Sequence, residues 1–392
     1  MKIYIAIPAL NELDYLPSLI NDLKSQSMSD FKVFVCVNNP DEWWNDDKKV
    51  CHCENNVNTL KYLERISDID IIVIDRSSKS QGWSGKKRGV GFARQELFEA
   101  VNKVSSVDDI IISLDADTRI PENYIQSVVD VFKKNKKSLL LTNPYYHDLI
   151  RDDKIDRAIL RYELYMRYYI LNLLMIGSPY AFSALGSAIT FKIAGYRKIN
   201  GITPKEAGED FYFVNRMKKA GQVLIWNDQV VKPSSRCSDR VPFGTGPAVI
   251  KGIAGNWDSY PFYDFDAFKK IGKTYELLLE LFQHNMETPI DSFIAENFGN
   301  DIWTPLRKNF KTENNFIRAC HEKLDGLRIL QVLKYYQKGD SLQNFIIFSR
   351  EDLGIQISDD FNFDSVPIRR LNEIRDVYFE KEMRCRKSKR VL

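Results

Sequence analysis

The sequence of 392 residues contains no long hydrophobic run and almost no excess of either charge. No apolar stretch reaches the roughly 18 residues that span a bilayer, and the apolar start turns polar at Asn11 and Glu12, too soon for a signal peptide. The formal net charge is only +3, so the composition gives no reason to expect a nucleic-acid partner. These absences predict a soluble protein that does not cross a membrane.

Cysteine is present but shows no pattern. The six cysteines stand at positions 36, 51, 53, 237, 320 and 385, a spacing that does not match a disulfide framework. Cys51 and Cys53 flank His52, but no second pair of cysteine or histidine follows nearby, so a structural zinc site is not expected. The sequence also has no internal repeat and no low-complexity linker. We therefore expect a reducing, cytoplasmic location.

Strand-like and helix-like segments alternate over the first 142 residues, and the hydrophobic content of 44% is typical of a globular protein. Apolar runs predict strands at 2–8, 31–37, 71–74, 110–114 and 139–142, and helical periodicity predicts helices at 11–25, 57–66, 86–104 and 121–134. This alternation indicates the α/β class, with a Rossmann-like, doubly wound and mostly parallel sheet. Such sheets have a crevice above the carboxyl ends of their strands.

The pattern changes after Asn143. Further helices are predicted at 150–176, 209–220, 268–282, 315–337 and 366–381, and further strands at 188–193 and 223–226. Helices dominate from about Tyr260 onward. We therefore expect a first domain over 1–259, with a nucleotide-binding half at 1–142 and an acceptor half at 143–259, and an α-helical C-terminal region of unknown role over 260–392.

The most informative segment runs from Ile110 to Thr118, where an apolar strand ends in two aspartates. The predicted strand carries Asp115 and Asp117 to the carboxyl edge of the sheet, where open α/β folds bind their ligands. Two carboxylates there suit Mg²⁺ or Mn²⁺, because these ions prefer oxygen ligands and are often held by one or two carboxylates and by substrate phosphates. The alternative is that both aspartates only cap the helix that begins near Pro121.

Polar residues also follow the first two predicted strands. Pro8 leads to Asn11, which can cap the next helix, and to Glu12, which can accept hydrogen bonds from a ligand. Asn38 follows the second strand, and its amide is suited to reading the edge of a base. An ordinary helix start and ordinary turn chemistry explain these two segments nearly as well.

A glycine-rich, cationic loop spans Gly82 to Gly91 and leads into a helix. Its backbone N–H groups, the helix N-terminus and the side chains of Lys87 and Arg88 together suit a phosphate group. The loop is not a Walker motif, because the required Gly-Lys-Ser or Gly-Lys-Thr ending is missing. It indicates phosphate binding only in combination with the aspartates.

A second acidic motif, Glu209 and Asp210, opens the helix that stops at Gly221. Carboxylates at a helix start are usually caps or partners of the helix dipole. The turn from Gly201 to Pro204 comes just before them, however, and would bring this helix start across the mouth of the crevice. A carboxylate that faces the metal site is what deprotonation of an incoming hydroxyl needs.

In combination, these motifs resemble family 2 glycosyltransferases of the GT-A fold, over roughly residues 1–250. The segments that follow the order and rough spacing of that family are Pro8–Glu12, Asn38, Lys87–Arg88 with Gly91, Asp115–Asp117 and Glu209–Asp210. The segment Ser234–Gly244 is also similar to the one that follows the catalytic helix in some bacterial members.

The resemblance implies a role for each matching residue. Asp117 would bind the divalent cation, and Asp115 would contact the ribose of the nucleotide or the cation. Asp210 would be the general base, with Glu209 beside it. The residues expected to line the nucleoside pocket or to lie near the donor are Pro8, Asn11, Glu12, Asn38, Lys87 and Arg88.

The implied reaction is a metal-dependent, inverting transfer of a sugar from a UDP- or GDP-type donor to an acceptor hydroxyl. Because the anomeric carbon gains oxocarbenium character, the acceptor needs a positioned base rather than a strong nucleophile. One departure from the family concerns the metal, since Lys232 stands about where some relatives place a histidine ligand. No motif decides whether the acceptor is a glycan, a lipid or a protein.

Two other functions fit parts of the sequence. Haloacid dehalogenase-like phosphatases also have Asp-x-Asp-x-Thr after an apolar strand, and there the first aspartate, here Asp115, is the nucleophile. That family usually opens with this motif, whereas three strand–helix units precede it here. The other alternative is a non-catalytic protein that only binds a nucleotide sugar, and the presence of both acidic motifs weighs against it.

The last predicted helix ends in a basic tail. Its cations are Lys381, Arg384, Arg386, Lys387, Lys389 and Arg390. They would attract anionic lipid headgroups at about 1 kcal/mol per cation, although a solvated helix end explains them as well. Peripheral contact with the inner membrane face is therefore an alternative to a wholly cytoplasmic location. The insertion 41–58, with Trp43 and Trp44, either covers the donor pocket or packs onto the domain.

Overall fold

The fold is described from a computed structural model of the full chain. The described residues are 1–85, 87–206, 208–238, 244–299, 301–339 and 341–392. Lys86 of the cationic loop and residues 239–243 of the segment Ser234–Gly244 lie outside them. The chain divides into two compact units. The first comprises residues 1–159, 183–254 and 389–391, and the second comprises residues 160–182, 255–388 and 392.

One mixed β-sheet organises the first unit. Over the described residues its seven strands are β1 Ile3–Ala9, β2 Lys32–Asn38, β3 Ile71–Arg76, β4 Ile110–Ser113, β5 Ser138–Thr142, β6 Ile189–Lys192 and β7 Gln222–Leu224. They lie in the order β3-β2-β1-β4-β6-β5-β7. All neighbouring pairs are parallel except those of β6, which is antiparallel to β4 and to β5. The prediction of a mostly parallel α/β sheet is confirmed.

Helices connect these strands and cover the sheet. Their bounds are α1 Leu16–Lys24, α2 Val50–Glu64, α3 Val90–Val104, α4 Tyr124–Lys134, α5 Asp153–Met175, α6 Ile193–Lys198, α7 Glu209–Ala220 and α8 Thr245–Ile253, with short 3-10 helices at Asp41–Asn45 and Gly186–Ala188. Every residue of β1 and of β4 is buried, which is the pattern of parallel strands covered on both faces. Ile5 of β1 lies in register with Val33 of β2 and Ile112 of β4 at the centre of this core.

The first helix begins later than its periodicity predicts. α1 starts at Leu16, after Tyr15 in the cap position and with a proline in its first turn. Asn11 takes a positive φ of 56° instead, and its N–H donates to Oδ1 of Asn56 at 2.9 Å. Because Asn11 lies well before the helix start, its side chain does not cap the first N–H groups of α1. The prediction that it caps this helix is wrong.

The insertion 41–58 is packed onto the first unit. The indole Nε1 of Trp44 donates to the carbonyl of Ser77 at 2.9 Å, and the ammonium of Lys79 lies 5.4 Å from the centre of the same ring. The end of the insertion already belongs to α2, which starts at Val50 rather than at residue 57. Of the two alternatives for this segment, the contacts of Trp44 favour packing.

The second unit is helical. Besides the later part of α5, its helices are α9 Phe265–Glu276, α10 Leu278–Gln283, α11 Asp291–Phe298, α12 Trp303–Asn309, α13 Glu313–Lys323, α14 Gly326–Tyr336, α15 Ser341–Glu351 and α16 Ile368–Lys389. The predicted helix 315–337 is two helices, because the side chain of Asp325 accepts a hydrogen bond from the N–H of Arg328 and so starts α14. The predicted helix 268–282 is likewise divided at Leu277.

Part of the predicted acceptor half, 143–259, belongs to the second unit, since residues 160–182 pack with the C-terminal helices. The hydroxyl of Tyr168 in α5 donates to the carbonyl of Tyr263 at 2.5 Å. Its ring centre lies 5.3 Å from that of Phe262 and 5.0 Å from that of Phe348, both in edge-to-face geometry. The aromatic stripe of this helix is therefore core packing against segments far along the chain, and a boundary drawn from composition alone does not include it.

Buried ion pairs join α5 to α16 within the second unit. Arg167 binds Glu163 at 2.5 Å and Glu382 at 2.6 Å, and Arg386 binds Glu382 at 2.7 Å, with each of these side chains at most 1% exposed. Arg386 is thus a core residue, so the prediction that it can approach lipid headgroups is wrong. Among the described residues, no helix combines the length and the apolar content needed to cross a bilayer.

Candidate active site

The carboxyl ends of β1, β2 and β4 meet at one edge of the sheet, and the predicted site residues follow them. At the end of β4, the carbonyl of Asp115 accepts a hydrogen bond from the N–H of Thr118 at 3.0 Å. This contact closes a β-turn that contains Asp117. Both aspartates therefore lie in a tight turn directly after a buried strand.

Arg94 joins this turn to the second acidic motif. Its Nη2 lies 2.5 Å from Oδ1 of Asp115, and its Nη1 donates to Oε1 of Glu209. Arg94 is 5% exposed and Glu209 is 1% exposed, so the ion pair between them is protected from water, whereas the side chain of Asp115 is 38% exposed. A single guanidinium carried by α3 thus connects the end of β4 with the start of α7.

Asp210 lies next to this cluster, in the first turn of α7. The N–H of Gly186 donates to its Oδ2 at 3.0 Å, and the N–H of Phe211 donates to its Oδ1 at 2.8 Å. Burial and then the charge of Glu209 raise the pKa of Asp210 from 3.8 to about 7, although Arg94 acts in the opposite direction. A carboxyl group with this pKa is suited to take up a proton near neutral pH.

The surroundings of Asp210 explain why burial has this effect. Asp210 lines a small cavity together with Arg94, Ser113 and Gly186, and the apolar side chains Phe98, Ile189, Ile202 and Phe213 form the remaining walls. Apolar walls disfavour the charged form of a carboxyl group. Ser113 contributes a buried hydroxyl that has no hydrogen-bond partner among the described residues.

A second arginine connects Asp117 with Glu12. The Nε of Arg236 donates to Oδ2 of Asp117 at 2.9 Å, and its Nη2 donates to the two carboxylate oxygens of Glu12 at 2.7 and 2.6 Å. The ring centre of Tyr15 lies 3.9 Å from the guanidinium carbon. The predicted metal ligand and the predicted donor ligand therefore share one cation, which comes from the segment after β7.

Asp115 and Asp117 are the residues that could hold a divalent cation. Each uses one carboxylate oxygen for an arginine, Oδ1 in Asp115 and Oδ2 in Asp117, and keeps a second oxygen. Within the described residues, no three acidic, cysteine or histidine side chains converge as a complete metal site. Mg²⁺ and Mn²⁺ often take only one or two protein carboxylates and complete their shell with substrate phosphates and water. The two aspartates fit a cation of this kind.

Asn38 does not present its amide to the crevice. Its Nδ2 donates to the carbonyl of Ala9 at 3.0 Å, and its Oδ1 accepts from the indole Nε1 of Trp83 at 3.2 Å. The residue is 3% exposed. Because both ends of the amide are used inside the protein, Asn38 holds the end of β1 and the Trp83 ring rather than reading a base edge. Pro8 is likewise buried within β1.

Two glycines of the cationic loop, Gly89 and Gly91, lie close to another part of the chain. A Cβ atom on Gly91 would lie 2.2 Å from the carbonyl oxygen of Lys205, and one on Gly89 would lie 2.5 Å from that of Glu206. Arg88 forms an ion pair with Glu206 at 3.2 Å, whereas Lys87 is exposed. Gly89 and Gly91 are therefore explained by the close approach of the segment that leads to α7, without a phosphate group.

Residues 4–192 match the sequence model of Glycosyl transferase family 2. This range runs from β1 to the end of β6 and includes Asp115 and Asp117. Over these residues the chain is a family 2 glycosyltransferase. The mixed sheet is accordingly that of the GT-A fold, and the protein is a transferase that uses a nucleotide sugar. The match decides against the phosphatase that also has an Asp-x-Asp motif.

The transferase is similar to individual proteins in structure. No curated protein matches it in sequence. It is similar to TarS 1–349 of S. aureus in complex with UDP-GlcNAc, with 12% identity, a TM-score of 0.42 and coverage of 100% of this chain and 92% of that chain. It is also similar to the mannosyltransferase PcManGT of Pyrobaculum calidifontis in complex with GDP-Man and Mn²⁺, with 11% identity, a TM-score of 0.37 and coverage of 97% and 85%. Similarities at this level do not identify the donor or the metal of this transferase.

Sequence reasoning misses three residues of the transferase site. No motif in the sequence assigns a role to Arg94 or Arg236, which bind the acidic residues, or to Gly186. For Arg94 a signal exists, because it lies on the buried face of α3 with Leu97, Phe98 and Val101. A charged residue at such a position predicts a buried partner of opposite charge. No comparable periodicity marks Arg236 or Gly186.

Proposed function

We propose that the transferase moves a glycosyl unit from a UDP- or GDP-type donor to an acceptor hydroxyl with inversion, and that Asp210 is the general base. One observation carries this proposal. The guanidinium of Arg94 binds Asp115 after β4 and Glu209 beside Asp210. The motif expected at the nucleotide and the motif expected at the acceptor therefore line one site.

In this mechanism Asp210 accepts the proton of the acceptor hydroxyl while the hydroxyl oxygen forms a bond to the anomeric carbon. The bond from that carbon to the diphosphate oxygen breaks in the same step. The N–H groups of Gly186 and Phe211 fix the orientation of the carboxylate. Asp210 acts in this mechanism as a base and not as a nucleophile, so the displacement is direct and the configuration of the anomeric carbon inverts.

The leaving nucleotide needs positive charge near its phosphates. A divalent cation, Mn²⁺ or Mg²⁺, held by Asp117 and Asp115 would neutralise charge on the diphosphate when bound. Arg236 adds a guanidinium beside Asp117 and Glu12. Lys87 lies on the loop that leads into α3 and adds a cation to the positive charge of the helix start, next to Arg88, which pairs with Glu206. These residues form the proposed donor side of the site.

The acceptor is a glycan, a lipid or a protein that presents a hydroxyl group to Asp210. We also propose a cytoplasmic location. If the tail contacts the inner membrane face, its exposed cations are Arg384, Lys387, Lys389 and Arg390, and each would add about 1 kcal/mol.

The donor is identified first, by thermal shift with UDP, GDP and their sugars in the presence and absence of Mn²⁺. A ligand at about 100 times its Kd stabilises the protein by about 2.7 kcal/mol. Asp210→Asn is then compared with wild type. We expect kcat to fall about 10² to 10⁴-fold, the range of general-base catalysis, with the donor Kd from calorimetry nearly unchanged.

Asp228→Asn is the matched control, because Asp228 is an exposed carboxylate in a turn of the same unit. It should transfer sugar at the wild-type rate. A wild-type kcat in Asp210→Asn would refute the base assignment. Stabilisation by neither nucleotide, with or without Mn²⁺, would refute the proposed donor.

A further inference from the structure

We infer that Arg94 is a positioning residue that holds the base-bearing start of α7 against the turn after β4, and that Gly186 is the residue that makes room for it. The inference goes beyond the proposed function, and it rests on the proposed role of Asp210. Neither residue belongs to a motif found in the sequence.

The first support is the geometry of the guanidinium. Its two terminal nitrogens bind carboxylates from different elements, Asp115 after β4 and Glu209 in α7. A planar fork of this kind can hold two carboxylates at a defined separation, whereas the single ammonium of a lysine cannot. Arg94 is itself fixed by α3, whose neighbouring residues Ala93, Leu97 and Phe98 are buried.

The second support comes from Gly186. A Cβ atom on this residue would lie 2.1 Å from Nη2 and 2.3 Å from Cζ of Arg94. The guanidinium therefore packs against the backbone of Gly186, and the N–H of the same residue donates to Oδ2 of Asp210 at 3.0 Å. The guanidinium is buried and held by Asp115 and Glu209, so it has little room to move. Any side chain at position 186 would therefore push Arg94 away from these carboxylates.

The third support is the charge around Asp210. The charged groups that act on it are Glu209 and Asp115, which favour its protonated form, and Arg94, which favours its ionised form. Arg94 is thus the cation that offsets two carboxylates next to the proposed base. If Arg94 is lost, Asp210 should hold its proton more tightly. If Glu209 loses its charge, Asp210 should release its proton more easily.

These opposite effects give the test, which measures kcat as a function of pH in the full-length protein. Arg94→Gln should lower kcat at pH 7 by about tenfold or more and move the acid limb of the profile upward by about one pH unit, which corresponds to a tenfold change in ionisation. Glu209→Gln should move the same limb downward. Gly186→Ala should resemble Arg94→Gln. Arg197→Gln, at an exposed arginine that binds Asn102, is the control and should match wild type.

Arg94→Lys covers the case in which Arg94→Gln does not fold. It keeps the charge and loses the fork, so kcat should fall between those of wild type and Arg94→Gln, with a smaller shift of the limb. A purely structural role would lower kcat in these variants without moving the limb, and that result would overturn the inference. A shift of the limb in the same direction in Arg94→Gln and Glu209→Gln would do so as well.

The double variant Arg94→Gln/Asp210→Asn separates this inference from the proposed function. If Arg94 acts through Asp210, the double variant should be no slower than Asp210→Asn alone. If Asp210→Asn is slow and the two losses multiply, only the inference about Arg94 fails. If Asp210→Asn itself transfers sugar at the wild-type rate, the proposed function fails.

Discussion

Two opposing requirements meet in the side chain of Asp210. A base must be ionised to act, yet apolar walls and the neighbouring charge of Glu209 favour its protonated form. The two backbone N–H groups that bind it hold the carboxylate in place. The ionised form is therefore reached at a cost to the stability of the folded protein, as is common at functional sites.

This cost predicts a pH-dependent stability. The folded-state pKa of about 7 lies above the ordinary value of 3.8, so the folded protein binds this proton more tightly than the unfolded chain does. Stability from this residue is complete below about pH 4 and is lost as the pH rises toward and through 7. Without donor or metal, the Tm of wild type should therefore fall between pH 5 and pH 8 relative to that of Asp210→Asn.

The measurement is calorimetry or far-UV circular dichroism of both proteins at several pH values. The two melting temperatures should converge toward pH 3, below the ordinary pKa of 3.8, where the carboxyl group is mostly neutral in the folded and in the unfolded protein. Asp228→Asn serves again as the control and should follow the wild-type curve. Parallel curves for wild type and Asp210→Asn would show that Asp210 titrates normally in the folded state.

The positions of the strands could be predicted almost completely from the sequence. Predicted runs such as 31–37 and 110–114 agree with β2 and β4 to within a residue or two, because strands buried on both faces have continuous apolar sequences. Helix starts were less predictable. The segment before α1 is held by a contact between Asn11 and Asn56, 45 residues apart, and no local pattern contains that information.

The same limit applies to the candidate site. The acidic residues Asp115, Asp117, Glu209 and Asp210 could be found because each pair is contiguous or nearly so in the sequence. Their arginine partners could not, since 115 residues separate Arg94 from Glu209 and 119 residues separate Asp117 from Arg236. Pairing over such distances is a property of the fold.

The start of α3 is the element on which the second acidic motif depends. Gly91 packs against the backbone of Lys205, and Arg94 follows it by one turn and binds Glu209. In an ordinary helix, glycine to alanine would stabilise by about 0.5–1 kcal/mol. In Gly91→Ala, however, the added Cβ would lie 2.2 Å from the carbonyl oxygen and 2.7 Å from the nitrogen of Lys205. We expect a lower Tm and a kcat reduced by about tenfold or more, since the chain before α7 must move.

Gln95→Ala is the control for this change, because Gln95 lies in the same helix and is partly exposed. Steady-state kinetics and thermal melting of the two variants make the comparison. An increase in Tm with normal kcat in Gly91→Ala would mean that the segment at Lys205 moves without loss of stability, and would contradict this prediction.

Residues that are far apart in the chain hold the second unit together. Arg167 of α5 and Glu382 of α16 are 215 residues apart and form a buried ion pair at 2.6 Å. The unit therefore cannot complete its core until the last helix has been synthesised. Its integrity depends on the carboxyl-terminal segment as much as on the helix in the middle of the sequence.

We predict a large loss of stability in Glu382→Gln. This change leaves Arg167 and Arg386 without the charge of their common partner, and breaking a buried ion pair typically costs about 3–5 kcal/mol. Glu380→Gln is the matched control in the same helix, because Glu380 pairs with Arg384 at 3.0 Å on the surface and such pairs contribute at most about 1 kcal/mol. Urea unfolding followed by circular dichroism compares the two. Equal losses in both variants would contradict the role assigned to the buried pairs.

The last residues of the chain return to the sheet of the first unit. β7 is the final strand in the sheet order, and beyond it the N–H of Ile225 donates to the carbonyl of Arg390 at 2.9 Å, while Leu224 forms an antiparallel bridge with Val391. Open strand edges recruit strands from other molecules and promote aggregation. Here the polypeptide covers part of such an edge with its own final residues, which limits self-association through strand addition on this side of the sheet.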